Sequence, residues 1–264
     1  MPELPEVEIL KSFFEAAAVD REIAAVEFHD HLDKVFASPR SELEKALTGQ
    51  QFTATRRIGK YLFARIGNKG WLHLHFGMTG DLQLLSESDE LPSYTRFVMI
   101  FKNGERLAFR DLRKFGVIEL VEDPDQYQKD RKIGKDLLEI EPEDFVAALA
   151  GRKAPIKTLL LQQNKVAGIG NWIADEMLFN TGIHPETRAE LLDEKELRAL
   201  HGEGVKIVKR AIAEDTHYGD FPKDFFVNYR KAGALHPDYP DSPVQGLKVG
   251  GRGTFIVPAK QKKR

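Results

Sequence analysis

The chain has 264 residues, 42% hydrophobic and 30% charged, which is enough apolar material to bury a real core in one large or two medium domains. It contains no cysteine, which excludes disulfides, thiolate nucleophiles and any cysteine-ligated zinc or iron–sulfur centre. The net charge of −2 gives no global polyanion signal, no apolar run approaches membrane-spanning length, and no export signal opens the chain, so a cytoplasmic protein without membrane contact is expected.

The first residues are Met1-Pro2-Glu3-Leu4-Pro5-Glu6-Val7-Glu8. Removing Met1 would leave Pro2 with a secondary amine at the terminus, and an α-amino group titrates near ~7.7–8.0, so part of it is an unprotonated nucleophile at neutral pH. Glu3 places a carboxyl group beside it. The same residues also read as the plain start of a helix, because Pro5 suits a first helical position and Glu6 and Glu8 suit its positive end. Val7, Leu10, Phe14 and Ala17 recur at helical spacing and predict that helix, with its positive end toward Pro2 and Glu3. Such a field disfavours protonation of the terminal amine.

From about Phe52 the period changes to two. Tyr61–Ile66 and Trp71–Phe76 read as strands, the second alternating Leu72, Leu74 and Phe76 with His73 and His75. Residues 97–101 and 106–109 flank Asn103-Gly104, a hairpin turn signal. Residues 1–125 therefore read as a mostly β domain, followed by a polar linker at 126–135. Helices are predicted over 142–149, 155–163, 172–180 and 197–213, making 136–220 an all-α domain. In 221–264, Gly250-Gly251-Arg252-Gly253 and the apolar residues after it predict a small terminal β-hairpin. The fold class expected is α+β.

Two stretches are basic and free of acid: Arg56, Arg57, Lys60, Arg65 and Lys69 within 52–80, and Lys248, Arg252, Lys260, Lys262, Lys263 and Arg264 within 248–264. Together they favour a polyanion partner over an ordinary solvated face. The glycine-rich Asn164-Lys165-Val166-Ala167-Gly168-Ile169-Gly170-Asn171 stands between two predicted helices. It reads either as a helix–helix turn or as a phosphate-binding helix N-terminus, and Lys165 and Asn171 favour phosphate.

Five motifs in order are similar to those of the formamidopyrimidine-DNA glycosylase and endonuclease VIII family: the N-terminal Pro-Glu-Leu-Pro-Glu-Val-Glu, Gly59-Lys60-Tyr61-Leu62, His75-Phe76-Gly77-Met78-Thr79-Gly80, Asp111-Leu112-Arg113-Lys114-Phe115-Gly116 and Gly168-Ile169-Gly170-Asn171. The resemblance implies an N-terminal β-sandwich, a helix-two-turn-helix domain and a C-terminal DNA-binding finger. It implies base-excision repair: a DNA glycosylase and AP lyase acting on damaged bases or abasic sites in double-stranded DNA, in the nucleoid. Pro2 would attack C1′ to form a Schiff base, Glu3 would assist sugar opening and proton transfer, and β- and δ-elimination would follow. Lys60 would contact phosphates around the lesion, and Lys165, Gly170, Asn171 and Arg252 would bind DNA. Met78, Arg113 and Phe115 would fill the gap left by a flipped base. Neither a cofactor nor a metal is implied, and a monomer is expected.

The family's usual finger holds zinc with four cysteines, which this chain lacks. Val257 and Lys260 stand where the family's second cysteine pair would fall, and His236, Asp238 and Asp241 make an incomplete ligand set. A zincless finger packed by Leu247, Val249, Phe255 and Val257 is expected. The stretch from Phe221 to Lys231 leaves no room for the long loop that closes over 8-oxoguanine in formamidopyrimidine-type members. Ring-opened purines, oxidised pyrimidines or hydantoins are the expected substrates, with 8-oxoguanine weak. A catalytically silent damaged-DNA-binding protein on the same scaffold is the alternative.

Overall fold

The computed structural model describes residues 1–29, 34–216 and 221–264. Two compact units divide the chain: Met1–Pro2 with Glu6–Arg131, and Glu3–Pro5 with Lys132–Arg264. The expected domain limit at residue 220 lies outside the described residues. The fold is α+β, a β-sandwich followed by a helix-two-turn-helix region and a C-terminal β-hairpin.

Helix α1 (Leu4–Ala18) opens the chain, and the residues that predicted it, Val7, Leu10, Phe14 and Ala17, are all buried. Strand β1 (Ile23–Phe28) and helix α2 (Arg40–Leu47) follow. Next come β2 (Phe52–Ile58), β3 (Tyr61–Ile66), β4 (Trp71–His75), β5 (Gly80–Leu85), β6 (Thr95–Phe101), β7 (Arg106–Asp111) and β8 (Val117–Val121). They form two antiparallel four-stranded sheets, ordered β1-β6-β7-β5 and β2-β3-β4-β8. Inward-facing residues of both sheets, among them Leu62, Leu74, Phe97 and Phe109, share one core with α1, whose Phe14 meets Phe52 edge-on at 5.1 Å.

His73 departs from the simple alternation, being as buried as its apolar neighbours at 1% exposure. The reason is helix α3 (Pro124–Asp130), which runs from the end of the expected β domain into the stretch 126–135 expected as a linker. Asp123 caps it by accepting from Gln126 N–H at 2.9 Å, and Pro124 occupies its first turn. Tyr127 of α3 lies over His73 (4.9 Å) and Phe63 (5.6 Å), so this helix covers the outer face of β3 and β4. A stretch rich in charge reads as connection because its packing residues, buried Pro124 and half-buried Tyr127, give no periodic signal.

In the second unit, the two-residue strands β9 (Lys135–Asp136) and β10 (Val166–Ala167) pair in parallel. Helices α4 (Pro142–Leu149), α5 (Ile156–Leu160), α6 (Asn171–Thr181) and α7 (Glu194–Ala213) bury Phe145, Leu160, Ile173, Leu178, Leu200 and Val208 in one core. Helix α7 starts on a capping box, Asp193 with Glu196. Phe226–Tyr229 form a 3-10 turn in the short stretch after Phe221.

The finger is β11 (Gln245–Val249) paired with β12 (Arg252–Ile256) across Gly250 and Gly251, both at positive φ. It is anchored by an apolar cluster in which Phe179, Phe226, Val244 and Val257 are buried and Tyr239 and Phe255 partly so. The Lys260 ammonium, at the position discussed for a metal ligand, lies 4.2 Å from the Phe179 ring centroid and 5.6 Å from that of Tyr239. Of the expected packing residues, Val249 and Val257 are buried, and Leu247 and Phe255 are half-buried.

Candidate functional site

In the first unit, Lys60 stands in the two-residue turn that joins β2 to β3, where Gly59 has φ +58°. Arg57 fixes the turn by donating to Gly59 O at 2.9 Å, and it also donates to Glu8 of α1 at 2.6 Å. Burial works to raise the Glu8 carboxyl, but Arg57 and Lys11 outweigh it and hold it below its usual value. Across the ladder, Tyr61 is paired with His75. Burial, then the charges of His73 and Lys60, push His75 down to about 4, so its ring is neutral at physiological pH. His75 Nδ1 accepts from Gly77 N–H at 3.1 Å, which leaves the proton on Nε2.

Met78 and the pair Arg113 and Phe115 lie on two touching segments, β4–β5 and β7–β8. Gly77, at φ +57°, passes so close that a Cβ there would lie 2.4 Å from the Phe115 carbonyl carbon, so only glycine fits. Met78 is half-buried, whereas the Phe115 ring is 53% exposed. The Arg113 guanidinium sits 5.0 Å from that ring's centroid. An apolar side chain, a cation and a bare ring are thus presented by two adjoining loops.

In the second unit, Glu3 is 2% exposed, and its carboxylate closes the N-terminus of α6. Oε1 accepts from Trp172 N–H at 3.0 Å and Oε2 from Ile173 N–H at 3.1 Å, meeting donors that a helix leaves unsatisfied. Gly170 permits this, since a Cβ there would come 2.1 Å from Glu3 Cδ. Gly168, at φ +101°, does the same for Leu4, with a notional Cβ 2.4 Å from Leu4 Cδ1. The glycine-rich turn is therefore a seat for Glu3 and Leu4, and two of the backbone donors at this helix end are taken by the chain's own carboxylate.

Asn171 and Arg252 come together through the residue after Arg252. Asn171 Nδ2 donates to Gly253 O at 3.0 Å, while its buried Oδ1 has no partner among the described residues. Lys157, which is 0% exposed, supports the same segment. Its ammonium donates to Asp175 (2.6 Å), Thr254 Oγ1 (2.7 Å) and Gly253 O (3.3 Å), and Arg230 holds the other Asp175 oxygen at 2.9 Å. Burial pushes Lys157 down and Asp175 up, and their contact opposes both shifts. Arg252 itself is exposed. Lys165 is half-buried and donates its backbone N–H to Gln162 O at 2.8 Å, with no described contact that brings it to Asn171.

Lys157 and Asp175 are structural finds that sequence reasoning missed. A buried charge is recognisable only from its partners, and Thr254 is 97 positions from Lys157. The basic stretches also change meaning in the fold. Arg56 pairs with Asp125, Arg57 with Glu8, Lys263 with Glu186 and Arg264 with Glu196, so much of each run serves internal contacts. No group of three potential metal-binding His, Asp or Glu side chains occurs among the described residues, and no helix there is long and apolar enough to cross a membrane.

The chain is similar to known proteins over almost its whole length. Residues 1–118 match the model of the formamidopyrimidine-DNA glycosylase N-terminal domain, and residues 133–221 that of the formamidopyrimidine-DNA glycosylase H2TH domain. Proteins named formamidopyrimidine-DNA glycosylase are 35% identical in Streptococcus pyogenes serotype M3, covering all of both chains, and 31% identical in Arabidopsis thaliana, covering 99% of this chain and 71% of the relative. The solved structure of Lactococcus lactis Fpg in complex with abasic-site DNA superposes with a TM-score of 0.89 at 30% identity, over 99% of this chain and 100% of the other. A MutM structure with DNA containing carbocyclic 8-oxo-G also gives 0.89, at 31% identity and the same coverage.

Proposed function

Since the chain belongs to the formamidopyrimidine-DNA glycosylase family, we propose that it excises oxidised or ring-opened bases from double-stranded DNA and then cleaves the strand at the abasic site. With Met1 removed, the Pro2 nitrogen attacks C1′ as the bond to the base breaks, and the base leaves with a proton. The Pro2 nitrogen sheds its proton, the C1′–O4′ bond breaks as O4′ takes up a proton, and the iminium so formed acidifies the C2′ proton. Its loss expels the 3′ phosphate, a second elimination expels the 5′ phosphate, and water releases the sugar fragment from Pro2.

Glu3 is the group that assists sugar opening and moves the proton. The observation that carries this reading is its carboxylate, joined to Pro2 by one peptide bond and held by two backbone N–H groups at the positive end of α6. That attachment leaves the chain little freedom just after the nucleophile, as positioning for covalent catalysis requires.

The supporting roles follow from what each side chain presents. Lys60 and neutral His75, through its Nε2–H, meet phosphate oxygens near the lesion. Asn171 and exposed Arg252 hold the backbone beside it, with Lys165 and the Gly170 turn adding contacts nearby. Met78, Arg113 and Phe115 enter the stack when the damaged nucleotide is extruded, the ring stacking and the cation facing the orphaned base. The short stretch after Phe221 favours ring-opened purines, oxidised pyrimidines and hydantoins over 8-oxoguanine. Variants Pro2→Gly and Glu3→Gln test the assignment. Each is expected to lose base excision by at least about a hundredfold, in the range of general acid–base contributions; full excision by either would reject it.

A further inference from the structure

We infer that Asp111 is the positioning residue that joins the Met78 and Arg113–Phe115 segments into one preassembled wedge, and so controls extrusion of a stacked base. This rests on the wedge reading proposed above.

Asp111 ends strand β7 and is 0% exposed, yet no cation bonds to its carboxylate among the described residues. Donors from both segments meet it instead. Oδ1 accepts from Thr79 Oγ1 at 2.5 Å and from Arg113 N–H at 3.1 Å, and Oδ2 accepts from Gly116 N–H at 2.7 Å. Arg113 N–H is shared with Thr79 Oγ1 at 3.0 Å, which closes a small ring of bonds. The Asp111 backbone is held as well: its N–H donates to Tyr94 O at 3.0 Å, and its carbonyl accepts from Arg96 Nε at 2.9 Å. One side chain therefore fixes the residue after Met78, the backbone of Arg113 and the residue after Phe115.

The packing leaves this carboxylate no substitute. A Cβ on Gly116 would come 2.9 Å from Phe109 Cζ and 3.1 Å from Asp111 Oδ2, so Gly116 can approach only as glycine. Lys114, at φ +55°, turns the chain between Arg113 and Phe115, a conformation that L-residues hold only when the surroundings enforce it. The bonds at Arg113 and Gly116 bracket that strained residue. Without them the loop relaxes, and the exposed Phe115 ring loses a fixed direction of entry.

The consequence is specific to one step. A stacked, paired base must be displaced while the wedge enters, whereas an abasic nucleotide has no base to unstack. Loosening the wedge therefore slows excision and spares cleavage at a preformed abasic site. Asp111→Asn places an amide N–H against one of the donors, and Thr79→Val removes the hydroxyl that joins the two segments. Thr79→Ser keeps that hydroxyl and serves as the conservative rescue.

The full chain would be assayed by single-turnover excision of a formamidopyrimidine opposite cytosine, and separately by cleavage of an abasic duplex, with Phe115→Ala as reference. Asp111→Asn and Thr79→Val are expected to slow excision by about tenfold or more, as a displaced working group does, while Thr79→Ser stays near the parent. Abasic cleavage should remain within about twofold for all three. Normal excision in Asp111→Asn and Thr79→Val while Phe115→Ala is slow would overturn the role of Asp111 and leave the wedge standing. Equal slowing of both reactions would mean general structural damage and would also overturn it. Normal excision in Phe115→Ala would remove the wedge reading itself, and this inference with it.

Discussion

The buried carboxylates show how much of this protein depends on acceptors supplied to bare backbone. Glu3 does this for α6, Asp111 for the β7–β8 segment, and Glu176 for the turn that starts the finger, accepting from Phe226 N–H at 2.8 Å and Val227 N–H at 2.9 Å. Burial dominates at Glu176, which is 1% exposed, and its carboxyl is pushed up to about 7. Because the folded value lies above the unfolded one, the native state binds this proton more tightly. That stability is fully present below the ordinary carboxyl range and is lost as pH rises toward about 7, a contribution of about 3 kcal/mol. Urea unfolding at pH 5 and pH 8 should show the parent losing stability across this window and Glu176→Gln losing markedly less. An equal pH slope in both proteins would contradict the assignment. At this scale the candidates Pro2, Glu3, Lys60, Met78, Arg113, Phe115, Asn171 and Arg252 were legible in the sequence, because each lies in a short contiguous motif. Asp111 in its bonding role, Lys157 and Glu176 were not, because their partners are brought together only by the fold.

Among the elements, legibility follows how local the determining signal is. Helix α4 was readable to both ends because Pro142 starts it and its own periodicity carries it to Leu149. Helix α5 was expected to reach Gln163 but ends at Leu160. Gln163 instead turns its side chain to the glycine-rich loop, accepting from Gly168 N–H at 3.0 Å and donating to Ile169 O at 2.7 Å. Apolar periodicity alone starts α7 at Leu197, three residues after its actual start at Glu194, where Asp193 and Glu196 form a capping box. The finger is the clearest case of replacement. Where a metal clasp was considered, Phe179 stacks on Phe226 at 4.3 Å, His236 packs against Phe179 at 4.8 Å, and Lys260 rests on the Phe179 ring. Chelation should therefore leave the melting temperature and excision unchanged. Phe179→Ala, which removes the central ring of that cluster, should cost about 3–5 kcal/mol by calorimetry. A chelator-sensitive melting temperature would count against a finger held by rings.

For the whole molecule, a net charge of −2 conceals how surface cations are divided between those paired within the chain and those open to a partner. Lys263, Arg264 and Arg252 are all exposed, but the first two pair with Glu186 and Glu196, whereas Arg252 in the finger hairpin has no ion pair among the described residues. The salt dependence of DNA binding separates the two groups. Arg252→Ala should make the slope of log K against log salt shallower by about one phosphate contact, while Lys263→Ala and Arg264→Ala should leave it within error. Equal changes in all three would mean that the tail binds DNA directly. The central claim, covalent chemistry at Pro2, is tested most directly by reducing the imine. The untagged protein, with removal of Met1 confirmed by mass, would be mixed with an abasic duplex and borohydride, and the adduct mapped by peptide mass spectrometry. A DNA adduct on the Pro2 nitrogen, lost in Pro2→Gly, is the predicted result; no adduct, or one on a lysine side chain in the parent protein, would contradict the account.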